Sequence, residues 1–273
     1  MKRFALFGTP VAHSLSPFIH QSFANSLGIS LVYERILTPK GQLKEMLQQF
    51  REQGGIGANI TVPLKQEAFQ LCAQLTQAAK EAMAVNTLYW EGETLCGDNT
   101  DGEGFVRDLT QNLGCRLQDK RILILGAGGA ASGILKPLLA CRPSAMVIVN
   151  RTWQKALALA KRDPLIKSYD YESLQSTHEA PFDFVFNATS CSLQDIMMPL
   201  APKWIEGVTA IDLAYQKHQK TIFQQWAMLH GASQSYDGIG MLVEQAALAF
   251  KRWHGVEPIT RPVMERIRQG DTL

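Results

Sequence analysis

The sequence predicts an α/β protein of two domains, the second built on a doubly wound parallel sheet. Three observations predict it. At roughly 100–200 residues per domain, a chain of 273 residues suits two. Short apolar strands alternate with amphipathic helices along most of its length. One segment runs strand, glycine-rich turn, helix, strand, the βαβ unit from which parallel sheets are assembled.

In chain order, Arg3 to Gly8 reads as a short apolar strand. Ser16-Pro17 reads as a helix start, Ser as N-cap and Pro first in the helix, with Phe18, Ile19, Phe23 and Leu27 along one stripe. Leu43, Met46, Leu47 and Phe50 follow the i, i+3, i+4, i+7 rule of a second helix. Gly57 to Val62 is the next strand, and Pro63 opens a third helix. Val85 to Trp90 and Thr94 to Gly97 flank Glu91-Gly92-Glu93 as a hairpin. A helix through Phe105, Leu109 and Leu113 bridges to the second domain. There Arg121 to Leu125 is a strand, and the helix after it carries Ile134, Leu135, Leu138 and Leu139 on one face. Strands follow at Met146–Asn150, Phe182–Asn187 and Val208–Leu213, then a long helix from Met241 to Trp253. The mixed charges at Arg261 to Arg268 read as the solvated face of a last helix.

Composition narrows the function. Hydrophobic residues at 46% and charged residues at 19% supply a packed core, not a disordered chain. A net charge of +2 is too small to draw nucleic acid or an acidic membrane. Five cysteines (Cys72, Cys96, Cys115, Cys141, Cys191), odd in number and with no C-x-x-C pair, argue against a disulfide framework and for a cytoplasmic location. His13, His20 and His218 share no ligand spacing with them, so no metal is expected. The apolar opening Met1–Phe7 stops at Gly8-Thr9-Pro10, too short for a leader. The stretch from Ile122 to Val149 is broken by Lys136, Pro137, Arg142 and Pro143, so no membrane span is expected either.

The loop Gly126-Ala127-Gly128-Gly129-Ala130-Ala131 sits between a strand and a helix. Small residues there let the backbone turn tightly and approach a pyrophosphate, which the N–H groups and dipole of the helix start favour. This is the setting of a Rossmann-type dinucleotide site. At the end of the second strand, where an NAD site usually carries a carboxylate, the chain reads Asn150-Arg151-Thr152, with Lys155 close behind. Two cations and a hydroxyl suit the 2′-phosphate of NADP. Solvated residues at a helix start are the plainer reading, but cations are disfavoured at that end of a helix.

In the first domain, polar residues gather at strand and helix boundaries: Ser14 and Ser16, Thr61 and Lys65, Asn86 and Thr87, and Asn99, Thr100 and Asp101. Open α/β sheets put their ligands at such boundaries. Taken singly, each has an ordinary structural explanation. Lys65, in the first turn of a helix, meets the positive end of the dipole, which works against its charge and favours passing on a proton. Asp101 could orient its ammonium.

Together these segments resemble the shikimate dehydrogenase family. The matching pieces are His13-Ser14-Leu15-Ser16-Pro17, Asn59-Ile60-Thr61-Val62-Pro63-Leu64-Lys65, Val85-Asn86-Thr87, Asp98-Asn99-Thr100-Asp101-Gly102, the Gly126–Ala131 loop, Asn150-Arg151-Thr152, Asn187-Ala188-Thr189-Ser190 and Asp237–Ala246. They follow the family's order and span nearly the whole chain. The resemblance implies reversible reduction of 3-dehydroshikimate to shikimate in aromatic amino-acid biosynthesis, with NADP as cofactor. It implies Lys65 and Asp101 as the catalytic pair. Ser14, Ser16 and Tyr215 would hold the substrate carboxylate, and Thr61, Asn86 and Gln245 would read the ring hydroxyls. Gly126, Ala127, Gly128, Gly129, Ala130, Asn150, Arg151, Thr152 and Lys155 would hold the cofactor, with Asn187 to Ser190, Leu213 and Gly238 near it. Residues 1–103, joined by the C-terminal helices at about 241–273, would form the substrate domain. Residues 104–240 would form the NADP domain, across a cleft. The partners implied are small molecules alone, for a monomer or homodimer.

The chain departs from the family's pattern at Leu213 (commonly Met), Cys191-Ser192 (frequently small residues and Gly), His218 (commonly Gly), Ile222 (commonly Pro) and Ala131 (frequently Ser). These bear on the cofactor loops more than on the reaction. The rival readings are a quinate/shikimate dehydrogenase using NAD or NADP, an enzyme for an amino-substituted ring acid, and a non-catalytic dinucleotide sensor. The last would have no need of Lys65 and Asp101 together.

Overall fold

A computed structural model of the chain describes residues 1–216 and 219–271. It divides into two compact units, 1–105 with 242–273, and 106–241. The first contains β1 (Lys2–Gly8), α1 (Ser16–Ser26), β2 (Leu31–Leu37), α2 (Leu43–Glu52), β3 (Gly55–Ile60), α3 (Lys65–Leu71), β4 (Gln74–Leu75), α4 (Gln77–Ala82), β5 (Thr87–Glu91), β6 (Thr94–Asp98) and the start of α5 (Asp101–Arg107). The second contains β7 (Arg121–Leu125), α6 (Gly129–Ala140), β8 (Ala145–Val149), α7 (Trp153–Ala160), β9 (Ile166–Tyr169), α8 (Tyr171–Gln175), β10 (Phe184–Asn187), β11 (Thr209–Asp212), α9 (Ile222–Leu229) and β12 (Gln234–Tyr236). Helix α10 (Ile239–His254) starts in the second unit and ends in the first, which α11 (Arg261–Arg268) completes.

The first sheet has the order β2-β1-β3-β5-β6-β4. It is mixed: β1 pairs parallel with β2 and β3, while β3, β5 and β6 pair antiparallel. Strand β1 lies inside it with Phe4, Ala5 and Phe7 fully buried, which is why it reads as a continuous apolar run and not an alternating one. Helix α2 buries Leu43, Leu47 and Phe50 against this sheet, each large side chain contributing about 1.5–3 kcal/mol. Helix α10 buries Val243, Ala246, Ala247 and Phe250 at helical spacing.

The second sheet is parallel throughout, in the order β12-β11-β10-β7-β8-β9. Counted from β7 this is the 3-2-1-4-5-6 order of a doubly wound nucleotide-binding sheet. Its switch point lies between β7 and β10, which are paired. At their C-terminal ends the Gly126 turn packs on the loop after β10. Gly126 has φ +102°, and a Cβ there would stand 3.0 Å from the Ala188 carbonyl oxygen, so glycine is needed on both counts.

Three expected details differ. Leu15, not Ser16, occupies the N-cap of α1, and Ser16 is its first helical residue. The helix expected at Pro63 begins at Lys65, because the chain first closes a turn in which the Leu64 N–H bonds to the Thr61 carbonyl at 2.9 Å. The helix through Phe105 ends at Arg107 and widens into a π-type turn over 108–112. That wider turn keeps Phe105 and Leu109 buried but leaves Leu113 half-buried. Among the described residues no helix is long and apolar enough to cross a membrane.

Candidate active site

In the first unit, the chain ends of β3, β5 and β6 converge on a polar cluster. Lys65 is the first residue of α3, and its Nζ donates to Asp101 Oδ2 at 2.6 Å. Asp101 is the first residue of α5, where a carboxylate suits the helix dipole. Its other oxygen accepts from Asn86 Nδ2 at 2.9 Å. The same Nδ2 donates to Thr100 Oγ1 at 2.9 Å and to Gln245 Oε1 at 3.2 Å. Gln245 comes from α10 and donates to the Leu242 carbonyl at 2.7 Å. Asn99 holds the start of α5, accepting the Asp101 N–H at 3.1 Å and donating to the Ala84 carbonyl at 2.9 Å. The Lys65 side chain is 30% exposed and that of Asp101 12%, so the ammonium is the accessible partner. An ammonium has three donors, and Asp101 takes one.

Ser14 and Ser16 form a second cluster in this unit. Ser14 Oγ donates to Ser16 Oγ at 3.1 Å and accepts the Ser16 N–H at 3.2 Å. Arg35 on β2 clamps the Ser14 carbonyl with two donors at 2.7 and 3.1 Å. Thr61 follows β3 and is half-buried. Sequence reasoning expected Lys65, Asp101, Asn86 and Gln245 in one site, and these four are hydrogen-bonded together. It missed the buried layer behind them, formed by Asn59, Tyr33 and His20. Tyr33 and Arg35 lie on β2, whose run Leu31-Val32-Tyr33-Glu34-Arg35-Ile36-Leu37 carries a strand signal in its β-branched and aromatic residues.

His20 is fully buried and stacks on Tyr33, with centroids 4.5 Å apart and planes 8° from parallel. Burial drives its pKa from the ordinary 6.5 down to about 3, against a smaller upward pull from its bond to Asn59. Burial also pushes the Tyr33 hydroxyl well above its ordinary value. Below the unfolded pKa of 6.5, the unfolded chain takes a proton that the folded imidazole refuses. Stability therefore falls as pH drops from about 6.5 toward about 3. His20→Gln keeps an N–H donor without the titration. In denaturant melts, the gap between wild type and His20→Gln should narrow by about 2 kcal/mol from pH 7 to pH 5. An unchanged gap would contradict a neutral buried imidazole.

The second unit carries the glycine loop. Gly126 is buried, whereas Gly128, Gly129 and Ala130 are exposed, and a Cβ on Gly128 or Gly129 would meet open space. Gly128 occupies the N-cap of the twelve-residue helix α6 with no side-chain cap, leaving its first N–H groups for a ligand. Asn150 ties this loop to the end of β8: its Oδ1 accepts the Ala127 N–H at 3.2 Å and its Nδ2 donates to the Thr152 carbonyl at 2.8 Å. Arg151, Thr152 and Lys155 are exposed at the start of α7, and among the described residues neither cation is ion-paired. Leu213 and Tyr215 are half-buried in the segment after β11. Gly238 packs on that segment so closely that a Cβ would clash with the Leu213 carbonyl oxygen, and its N–H bonds to Ala214 O at 3.0 Å.

Sequence reasoning also missed the group beneath these loops. Asp212, at the end of β11, is fully buried. It accepts from Ser192 Oγ at 2.6 Å, Thr221 Oγ1 at 2.7 Å, Asn187 Nδ2 at 3.0 Å and the Ala214 N–H at 3.1 Å. Burial raises its pKa and these bonds pull the other way. The departures at Ser192 and Ile222 therefore border a network that pins both loops. Among those departures, His218 lies outside the described residues.

Three family models match the chain in order: shikimate dehydrogenase substrate binding domain over residues 6–88, shikimate/quinate 5-dehydrogenase over 108–214, and shikimate 5′-dehydrogenase C-terminal domain over 238–268. A protein of Nitrosospira multiformis named shikimate dehydrogenase (NADP(+)) is 48% identical over 271 residues, covering 98% of this chain and 97% of that one. The crystal structure of an Ael1 enzyme from Pseudomonas putida superposes with a TM-score of 0.91 at 40% identity, covering 98% of both chains. That of shikimate 5-dehydrogenase from Thermus thermophilus, in complex with NADP(H) and shikimate, gives 0.87 at 34% identity, covering 99% of this chain and 100% of that one.

Proposed function

The chain belongs to the shikimate dehydrogenase family, and from that premise we propose that it reduces 3-dehydroshikimate reversibly to shikimate with NADPH, in the pathway to aromatic amino acids. The observation that carries the reading is the Lys65–Asp101 pair at 2.6 Å, joined through Asn86 to Gln245.

The residues present fit NADP. The open faces of Gly128 and Gly129 and the uncapped start of α6 suit a pyrophosphate. Arg151 and Lys155, exposed and without an ion-pair partner among the described residues, suit a 2′-phosphate together with the Thr152 hydroxyl. When bound, the cofactor supplies the hydride chemistry at the carbonyl carbon. Lys65 gives its proton to the carbonyl oxygen as the alkoxide forms, and in the reverse direction takes it from the alcohol. Asp101 fixes the direction of the ammonium and balances its charge. Ser14 and Ser16 hold the substrate carboxylate, while Thr61, Asn86 and Gln245 pair with ring hydroxyls. A ligand lacking those hydroxyls leaves buried polar groups unpaired, which sets the specificity. The same reading makes the protein a cytoplasmic monomer or homodimer with small-molecule partners only.

Mass analysis of the product tests this. Shikimate incubated with NADP and the protein should lose two hydrogens, and quinate should stay unchanged. An unaltered shikimate pool beside a converted quinate pool would move the reading to the quinate enzyme.

A further inference from the structure

Behind the catalytic pair lies a chain of buried amides and hydroxyls whose hydrogen-bond directions can all be assigned. Asn59, at the end of β3, is 5% exposed and makes four bonds. Its Nδ2 reaches the Asn86 backbone carbonyl and Thr87 Oγ1, each at 3.2 Å. A carbonyl only accepts, so the nitrogen must face it and the amide cannot be flipped. Asn59 Oδ1 then accepts from the Tyr33 hydroxyl at 2.7 Å and from His20 Nε2 at 3.1 Å. This places the imidazole proton on Nε2 and leaves Nδ1 as a buried atom without a partner.

The direction carries forward. Thr87 Oγ1 accepts from Asn59, so its own hydrogen is free for Asn86 Oδ1, 2.8 Å away. Asn86 Oδ1 also accepts the Thr100 N–H at 2.9 Å. With its oxygen held by these two donors and by the Thr100 hydroxyl at 3.2 Å, Asn86 turns its amino group to Asp101, Thr100 and Gln245: three acceptors for two hydrogens.

We propose that Asn59 and Thr87 are positioning residues for shikimate. They form a one-way hydrogen-bond relay that holds the Asn86 amide with its donors toward Asp101 and the substrate. The inference rests on the reading of Asn86 as a substrate-binding group. The relay makes Asn86 a donor only, so the ring oxygen it meets must accept, and the hydrogen of that hydroxyl is directed to another acceptor. Thr87 is fully buried, so loss of its hydroxyl is not made good by bulk water. Asn59 Nδ2 loses an acceptor and is left a buried donor short of a partner, and Asn86 Oδ1 loses its shortest donor and keeps the Thr100 N–H and hydroxyl alone.

Thr87→Val has the shape of threonine without the hydroxyl, and Thr87→Ser restores the hydroxyl. In steady-state assays with shikimate and NADP, Thr87→Val should raise KM for shikimate about tenfold. The KM for NADP and kcat should stay within about threefold. Thr87→Ser should return KM for shikimate to within about twofold of wild type. Equal losses in Val and Ser, or an unchanged KM in Val, overturn the relay. Should Thr87→Val not fold, Thr87→Cys, a weaker donor of similar size, should show the same KM rise at smaller size, and an unchanged value there overturns it too. A wild type that fails to turn over shikimate overturns the functional reading and the relay together. Wild-type turnover with a silent Thr87→Val overturns the relay alone.

Discussion

Replacing Lys65 by Ala should lower kcat for shikimate oxidation by about 10²–10⁴-fold, the range of a positioned acid–base group. The KM for shikimate should move far less, because the groups proposed to bind it, Ser14, Ser16, Asn86 and Gln245, are untouched. The ammonium is the accessible member of the pair and Asp101 the buried one. Asp101→Asn should therefore also lower kcat. The amide still accepts from the ammonium but no longer balances its charge. Stopped-flow or steady-state rates with saturating NADP check both variants. A Lys65→Ala enzyme that keeps kcat within tenfold would remove Lys65 from the proton step.

The second large effect lies in the other unit. Arg151→Ala combined with Lys155→Ala should raise KM for NADP by about 10–100-fold, the loss of charge-assisted hydrogen bonds to a 2′-phosphate. Turnover with NAD, which lacks that phosphate, should be unchanged. The pair is exposed and, among the described residues, has no carboxylate partner to release, so the substitution costs little stability. Parallel titrations of NADP and NAD separate the outcomes. Equal losses with both cofactors would mean that the change disturbed the loop and not a phosphate contact.

The βαβ start of the second domain was legible because its strands are buried on both faces and its turn is glycine-rich. Ile122, Leu123, Ile124 and Leu125 are all fully buried, as are Met146, Val147, Ile148 and Val149, so both faces of each strand are covered. Edge strands β9 and β12 were not legible. Ile166-Lys167-Ser168-Tyr169 and Gln234-Ser235-Tyr236 are short and half solvated, so they carry no apolar run. In the candidate site, Lys65, Asp101 and Asn86 stood out because they occur at strand and helix boundaries within recognisable motifs. Asn59 and Thr87 stood in the same motifs but had no role until their partners were known, since a hydrogen-bond direction is a property of the assembled network. Asp212 had no motif at all. Its significance comes from meeting Asn187, Ser192 and Thr221, which lie 25, 20 and 9 residues away in the chain.

The most direct test follows nicotinamide absorbance with purified protein and shikimate, running NADP and NAD in parallel and quinate as second substrate. The account predicts rapid reduction of NADP with shikimate, a rate with NAD lower by at least about tenfold, the worth of one lost charge-assisted hydrogen bond, and no reduction with quinate. Equal rates with NAD would contradict the assignment of Arg151 and Lys155, and no turnover with any pair would contradict the assignment of the enzyme itself.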